Sequence, residues 1–244
     1  MAAGHSPLEQ FEIKKLVDLN IGGIDISFNN SAAWMMIAVV LIATLMLVAG
    51  SRRAMVPGRV QSMAEVLYGF VADLVRQNAG KQGMKYFPFV FSIFMFVLFG
   101  NLLGMLPYSF TFTSHIIVTF ALAISIFIMV TIIALARHGL HFFSFFLPAG
   151  VPLWLAPLMI VIEVISYCVR PISLSVRLFV NMMAGHTMLK VFAGFAISLP
   201  IFASPLPVVM MSALTALEIL VCLLQAYVFS VLTCLYLKDA IELH

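Results

Sequence analysis

The chain has 244 residues, 63% of them hydrophobic and only 9% charged, with a net charge of +3 and a mean hydropathy of +1.12. No soluble domain of this length needs so much apolar surface, so the composition excludes a soluble globular domain and reads as a multi-span membrane protein. The 22 Phe and 16 Met suit lipid-facing and packed helix surfaces.

The first 32 residues mix acids and bases (Glu9, Glu12, Lys14, Lys15, Asp18, Asp25) with no apolar run, which is not the pattern of a secretory signal peptide. Within them "IGGIDISF" alternates weakly and suits a short surface turn or strand. Residues 33–50 form the first expected span. The next stretch, 51–86, holds Arg52, Arg53, Arg59, Arg76, Lys81 and Lys85, and residues 59–78 place apolar side chains opposite polar ones at helical spacing. That pattern predicts an amphipathic helix at the membrane interface. Spans two and three are expected over 87–106 and 115–136, with the Lys/Arg-free loop 107–114 between them. Arg137, His138, His141 and the belt-like "FFSFFLPAG" follow.

From 152 to 237 the chain is almost continuously apolar, punctuated by the proline-rich turn "SLPIFASPLP". As one helix, 152–197 would measure about 69 Å, more than twice a hydrocarbon core of roughly 30 Å. It must break into two spans, with Pro171 a candidate point, or lie steeply tilted. Glu163, Arg170 and Arg177 recur every seven residues, a drift of only about 20° per step on a helix. A single polar stripe running through Pro171 favours one continuous, kinked helix. The expected fold is therefore an all-α integral membrane protein. It has about five membrane-embedded helices plus an interfacial amphipathic helix, the last two spans forming a long hairpin. Its expected parts are 1–32, 33–151 and 152–244. Basic residues concentrate in 51–86, at Arg137 and at Lys238, which puts those segments and the C-terminus inside and the N-terminus outside.

Folding the last two helices about a turn centre near residue 202 brings His186 level with Glu218, and Arg177 level with Gln225, with Asn181 one turn from Arg177. The result is a ladder of polar groups at successive depths. His and Glu can exchange protons near neutral pH, whereas Arg keeps its proton and can only attract or block. Charges at membrane depth are expensive and therefore point to function. Cys168, Cys222 and Cys234 lie in apolar segments without metal-ligand spacing and read as small buried hydrophobes. No bis-His haem pair, Walker motif, HExxH or dinucleotide fingerprint is present, so no metal, cofactor or active site of the chain's own is expected.

The stretch "PISLSVRLFVNMMAGH" (171–186) closely resembles the subunit a family of rotary F-type ATP synthases. Supporting segments in the same order are "PGRVQSMAEVLY" (57–68), "GNLLGMLPY" (100–108), "IEVIS" (162–166) and "LEILVCLLQAYVFSVLTCLYL" (217–237). The resemblance covers most of the chain. It implies a proton-translocating stator subunit beside a ring of proteolipid c-subunits, with peripheral-stalk b subunits and lipid as further partners and no nucleic acid. Arg177 takes the place of the family's essential arginine, which separates two offset half-channels. Asn181 and Gln225 match the polar residues near it, and Glu163 an acid on the cytoplasmic half-channel side. His186 and Glu218 match the acid–histidine pair of the outer half-channel, here in the order of mitochondrial members; many bacterial members have the reverse. The tilted hairpin of the family also accounts for the length of 152–197. A bacterial inner membrane is the expected location, although an organelle-encoded protein would share these features.

Several residues keep two readings. Glu163 either lines a channel or pairs with Arg170, and Arg170 either lines the inner path or snorkels. Lys190 is expected to snorkel, Asn101 to serve close helix packing, His115 and His138 to be interfacial, and Asp239 and Glu242 to form a solvated tail. Rival functions remain a transporter with an arginine-bound anion, which calls for internal repeats not seen here, a scaffold without transport, and sodium in place of protons.

Overall fold

The computed structural model describes residues 11–18, 20–21, 24–25, 27–51, 57–106, 109–139, 155–200, 202 and 205–241. Arg52, Arg53, His141, the "FFSFFLPAG" patch, part of the proline-rich turn and Glu242 lie outside the described residues.

The weak alternation near the N-terminus forms strands. β1 (Lys15–Val17) pairs antiparallel with β4 (Phe28–Asn29), and β2 (Asn20–Ile21) with β3 (Ile24–Asp25) between them. Asn30 ties this ribbon to the first helix, its side-chain amide donating to the Glu12 carbonyl (3.1 Å).

Among the described residues, five helices are long and apolar enough to cross a membrane. α1 (Asn30–Ser51), α3 (Phe87–Gly104) and α4 (Ile116–His138) fall where hydropathy places the first three spans. α5 (Ala156–Ser198) and α6 (Pro205–Ile241) are the long hairpin. α5 runs unbroken through the buried Pro171, as the seven-residue polar stripe requires. Its 43 residues extend about 65 Å, so it must tilt steeply to remain within a bilayer.

α2 (Arg59–Gly83) is the amphipathic helix, longer than its sequence pattern suggests and bent at Gly80 (φ 66°). The start of α1 (Trp34, Met35, Ala38) clusters with Leu103 at the end of α3, so the two helices run antiparallel and α2 links their other ends. Its apolar face (Val71, Leu74, Val75, Ala79) joins a core shared with α3, α4, α5 and α6, while Glu65, Asp73 and Arg76 stay exposed. Burial against neighbouring helices, added to interfacial partitioning, holds this helix in place.

The long helices bury little of themselves. α5 buries only Pro171, Leu174, Ser175, Leu178 and Met182, leaving Ile165, Val169, Ile172, Val176 and Val180 exposed. Contiguous apolar exposure of this extent has a physical rationale in lipid or a membrane partner. A second small cluster sits near the turn end of the hairpin. There Phe110 and Phe112 pack against Ala38, Trp34 and Met35 of α1, tucking residues 109–115 into the bundle. Cys222 and Cys234 are buried as expected, but Cys168 is exposed on α5, because its face of the helix meets no neighbour.

Candidate functional site

The polar residues of the hairpin meet in three tiers. At the tier nearest the turn, His186 Nδ1 lies 2.6 Å from Glu218 Oε1, with the side chains only 13% and 7% exposed. The spacing argument about residue 202 placed these two level, and the structure brings them into contact. The approach is that of an ion pair whose ring N–H is not aligned on the oxygen. Among the described residues neither Glu218 oxygen has a hydrogen-bond partner. Gly185 makes the approach possible, because a Cβ there would sit 2.6 Å from Glu218 Oε1.

The other ring nitrogen of His186 faces the 104–115 region. Nε2 is 2.9 Å from the Gly104 carbonyl and 3.1 Å from Thr111 Oγ1. Thr111 in turn donates to the same carbonyl (3.2 Å). Gly104 admits this arrangement, since a Cβ there would come within 2.7 Å of Thr111 Cγ2. Phe11 approaches the imidazole from the N-terminal segment, with ring centroids 6.4 Å apart. Close by in sequence, Asn101 is fully buried with neither side-chain polar atom bonded among the described residues. Its unmet hydrogen-bonding capacity is of the kind that buried water satisfies.

In the middle tier Asn181 Nδ2 donates to Gln225 Oε1 (3.1 Å), and Cys222 Sγ contacts Met182 Sδ (3.7 Å). Gln225 thus meets Asn181, one turn from Arg177, and not Arg177 itself. Counted from residue 202, Gln225 lies 23 residues out, midway between Asn181 (21) and Arg177 (25), and the structure makes the first of these pairings. Arg177 is exposed on α5, on the stripe of Glu163 and Arg170, with Ser173 and Asn181 one turn to either side, and has no hydrogen bond or ion pair among the described residues.

At the open end of the hairpin Arg170 Nη1 donates to Asp239 Oδ2 at 3.0 Å. Its guanidinium lies over the rings of Tyr167 (5.5 Å) and Tyr236 (5.1 Å), and Tyr167 Oη shares a 2.7 Å hydrogen bond with Thr131. These groups surround a cavity of about 10 Å³, room for one water. Asp239 is therefore part of the helix packing and not a solvated tail: α6 continues past it to Ile241 and holds it against α5. Arg170 is thus held against α6 by Asp239 and not by Glu163. Glu163 is half-exposed, without an ion pair among the described residues. Lys190 is exposed on α5. Near the start of α4, the half-buried His115 stacks on Phe110 (5.1 Å), and burial lowers its pKa below the ordinary imidazole range. Among the described residues no group of three or more His, Cys, Asp or Glu side chains could hold a metal ion.

A family model for the ATP synthase A chain matches residues 32–238. The chain belongs to the ATP synthase subunit a family. It is 57% identical over 240 residues to ATP synthase subunit a of Rhodospirillum rubrum, covering 98% of this chain and 100% of the relative. The same subunit from R. rubrum strain ATCC 11170 matches to the same extent. Members of the subunit a family are multi-pass channel subunits of the synthase membrane sector that take part in proton transport; the catalytic sites lie in other subunits.

Thr111, Gly104 and Gly185 escape sequence reasoning for a physical reason. Two act through a backbone atom or a missing side chain, and the third sits in a short loop segment with no periodicity. A clue was present in "AGH" and "GNLLG", where small residues flank polar ones.

Proposed function

We propose that this chain is the proton-conducting stator subunit of its synthase, with two offset aqueous half-channels separated by Arg177. The observation that carries the reading is Arg177 itself: a permanent cation exposed on α5, with no bond or ion pair from the described part of its own chain. A charge so placed in a membrane protein is expensive unless an anion visits it. A carboxylate on a neighbouring c-subunit is such an anion, and the exposed apolar residues of α5 beside Arg177 (Val169, Ile172, Val176, Val180) are the surface against which that subunit turns.

The basic side chains Arg76, Lys81, Lys85, Arg137 and Lys238 gather towards the open end of the hairpin, which is then cytoplasmic. The turn end, with the N-terminal ribbon, faces outward. Protons enter at the His186–Glu218 tier and neutralise a c-subunit carboxylate. The neutral acid rotates through lipid, which its anion could not enter without a large desolvation penalty. It releases its proton into the cytoplasmic path lined by Glu163. The resulting anion passes Arg177, whose charge favours the ionised form and opposes a direct cation leak between the two paths. Asn181 and Gln225, bonded to each other one turn away, supply neutral polar lining on the outer side of the arginine. Peripheral-stalk b subunits hold the chain against rotation.

Replacing Arg177 by Ala in the assembled complex tests the reading. ATP-driven proton uptake by inverted vesicles should be lost while the subunit remains incorporated; uptake at the unmodified rate would refute it.

A further inference from the structure

We propose that the Gly104 carbonyl and the Thr111 hydroxyl lock the proton of His186 on Nε2, so that the ring exchanges protons only through Nδ1 with Glu218. This inference rests on the His186–Glu218 tier carrying the outer proton path. It adds the direction in which that tier works.

A backbone carbonyl can only accept a hydrogen bond. With its oxygen 2.9 Å from Nε2, that nitrogen must be the donor, because a bare lone pair there would face a second lone pair at hydrogen-bond distance. Thr111 reinforces the assignment. Its hydroxyl hydrogen is directed at the same carbonyl (3.2 Å), which leaves an oxygen lone pair to share the Nε2 proton at 3.1 Å. One N–H therefore serves two acceptors. The tautomer of a histidine is set by the bond its other nitrogen makes, and here that bond comes from rigid backbone at the end of α3.

The 2.6 Å contact between Nδ1 and Glu218 Oε1 then has room for one proton, which passes when a small turn of the carboxyl brings Oε1 onto the line of the ring N–H. With none, two lone pairs would repel; with two, the hydrogens would collide. Moving the proton from Nδ1 to Oε1 breaks one N–H bond, forms one O–H bond and turns an imidazolium–carboxylate pair into imidazole and carboxylic acid, with no change in net charge. Glu218 is the one titratable side chain in contact with the ring among the described residues. Phe11, whose ring centroid is 6.4 Å away, and the Met182 carbonyl one turn earlier on α5, a further acceptor for a ring N–H, also face the ring; neither can take up a proton.

His186 is consequently not a two-ended relay, since a proton arriving at Nε2 finds no free lone pair. Protons pass through Glu218, and His186 holds and orients the carboxyl. Thr111 and Gly104 are positioning residues that act through the imidazole.

Solid-state NMR of the assembled membrane complex in lipid, with ¹⁵N-labelled histidine in this chain, reads the proton positions directly, and His186→Gln identifies the signals. Nε2 should show the protonated-type shift at every pH at which the complex stays intact, with Nδ1 alone responding. A neutral ring protonated on Nδ1 with a bare Nε2 would overturn the proposal. Thr111→Val should shift the Nε2 resonance and slow proton uptake severalfold, and Thr111→Ser should restore both. An Nε2 resonance unmoved by Thr111→Val would remove Thr111 from the lock. The spectrum reports where the proton sits whether or not protons flow. If Arg177→Ala left uptake intact while Nε2 stayed protonated, the channel reading would fail and this inference would stand.

Discussion

Adding one methyl group at Gly185 should disable the outer tier without unfolding anything. The Cβ of Gly185→Ala would lie 2.6 Å from Glu218 Oε1 and 2.8 Å from its Cδ, whereas ordinary van der Waals contact begins at 3.4 Å. The carboxyl must therefore retreat by about 0.8 Å, the difference between 3.4 and 2.6 Å. Glu218 is buried and has His186 against it, so the retreat is taken from the proton-sharing contact. Misplacing reacting groups by about 1 Å can cost on the order of 10²-fold in rate, and we expect ATP-driven proton uptake to fall by about 10- to 100-fold. Helix stability works in the opposite direction, since Ala is favoured over Gly by about 1 kcal/mol in a helix interior. A loss of flux therefore cannot be assigned to a weakened α5. Gly194→Ala on the same helix is the control, because nothing lies within 4 Å of a Cβ there, and uptake should be unchanged. The assay is acidification of inverted vesicles, normalised to the amount of subunit incorporated. Wild-type uptake by Gly185→Ala, or an equal loss in Gly194→Ala, would refute the reasoning.

Three further outcomes follow from the other tiers. Gln225→Leu removes the acceptor of the Asn181 amide; losing a hydrogen bond worth about 1 kcal/mol should slow proton uptake about fivefold, with normal incorporation on immunoblots. Asp239→Asn breaks the ion pair with Arg170, whose side chain is 20% exposed against 43% for Asp239. Because the pair is partly solvated, the loss should be about 1–2 kcal/mol, read as a lower temperature for release of the subunit from the solubilised complex. The double variant Arg170→Gln with Asp239→Asn should regain part of it. For His115, burial depresses the imidazole pKa, so the unfolded segment takes up a proton more readily than the folded one. The packing it contributes is present above the ordinary value of 6.5 and declines as pH falls below it. Amide exchange at residues 110–115 should quicken on acidification in the native chain and lose that pH dependence in His115→Phe.

Much of the architecture was legible because the bilayer restricts what a helix can be. Hydropathy placed α1, α3 and α4. The seven-residue stripe Glu163–Arg170–Arg177 predicted that α5 would pass through Pro171, since a break would have scattered those residues over different faces. Counting from the turn paired His186 with Glu218, but the same counting set Gln225 opposite Arg177, where the structure has it bonded to Asn181. By that count Gln225 falls midway between Arg177 and Asn181, so spacing alone does not choose between them, and the direction of the side chains, which it does not encode, decides. Asp239 was read as tail because charge near a terminus ordinarily seeks water. Only its three-dimensional proximity to Arg170, 69 residues earlier, makes it structural. Gly104 and Thr111 were hidden more deeply, because a carbonyl oxygen is common to every residue and only its placement gives it a role.

The central claim is that Arg177 separates two proton paths, and the most direct measurement takes two fluxes from the same membranes. ATP-driven pumping would be recorded in vesicles carrying the whole complex. Passive proton conductance would be recorded after the catalytic sector is stripped, for the native chain, Arg177→Lys and Arg177→Ala. The account predicts that Arg177→Ala abolishes pumping and retains or raises passive conductance in a complex that assembles normally, with Arg177→Lys leaking less than Arg177→Ala because it keeps a positive charge. Pumping by Arg177→Ala at the native rate would make the arginine structural and contradict the account.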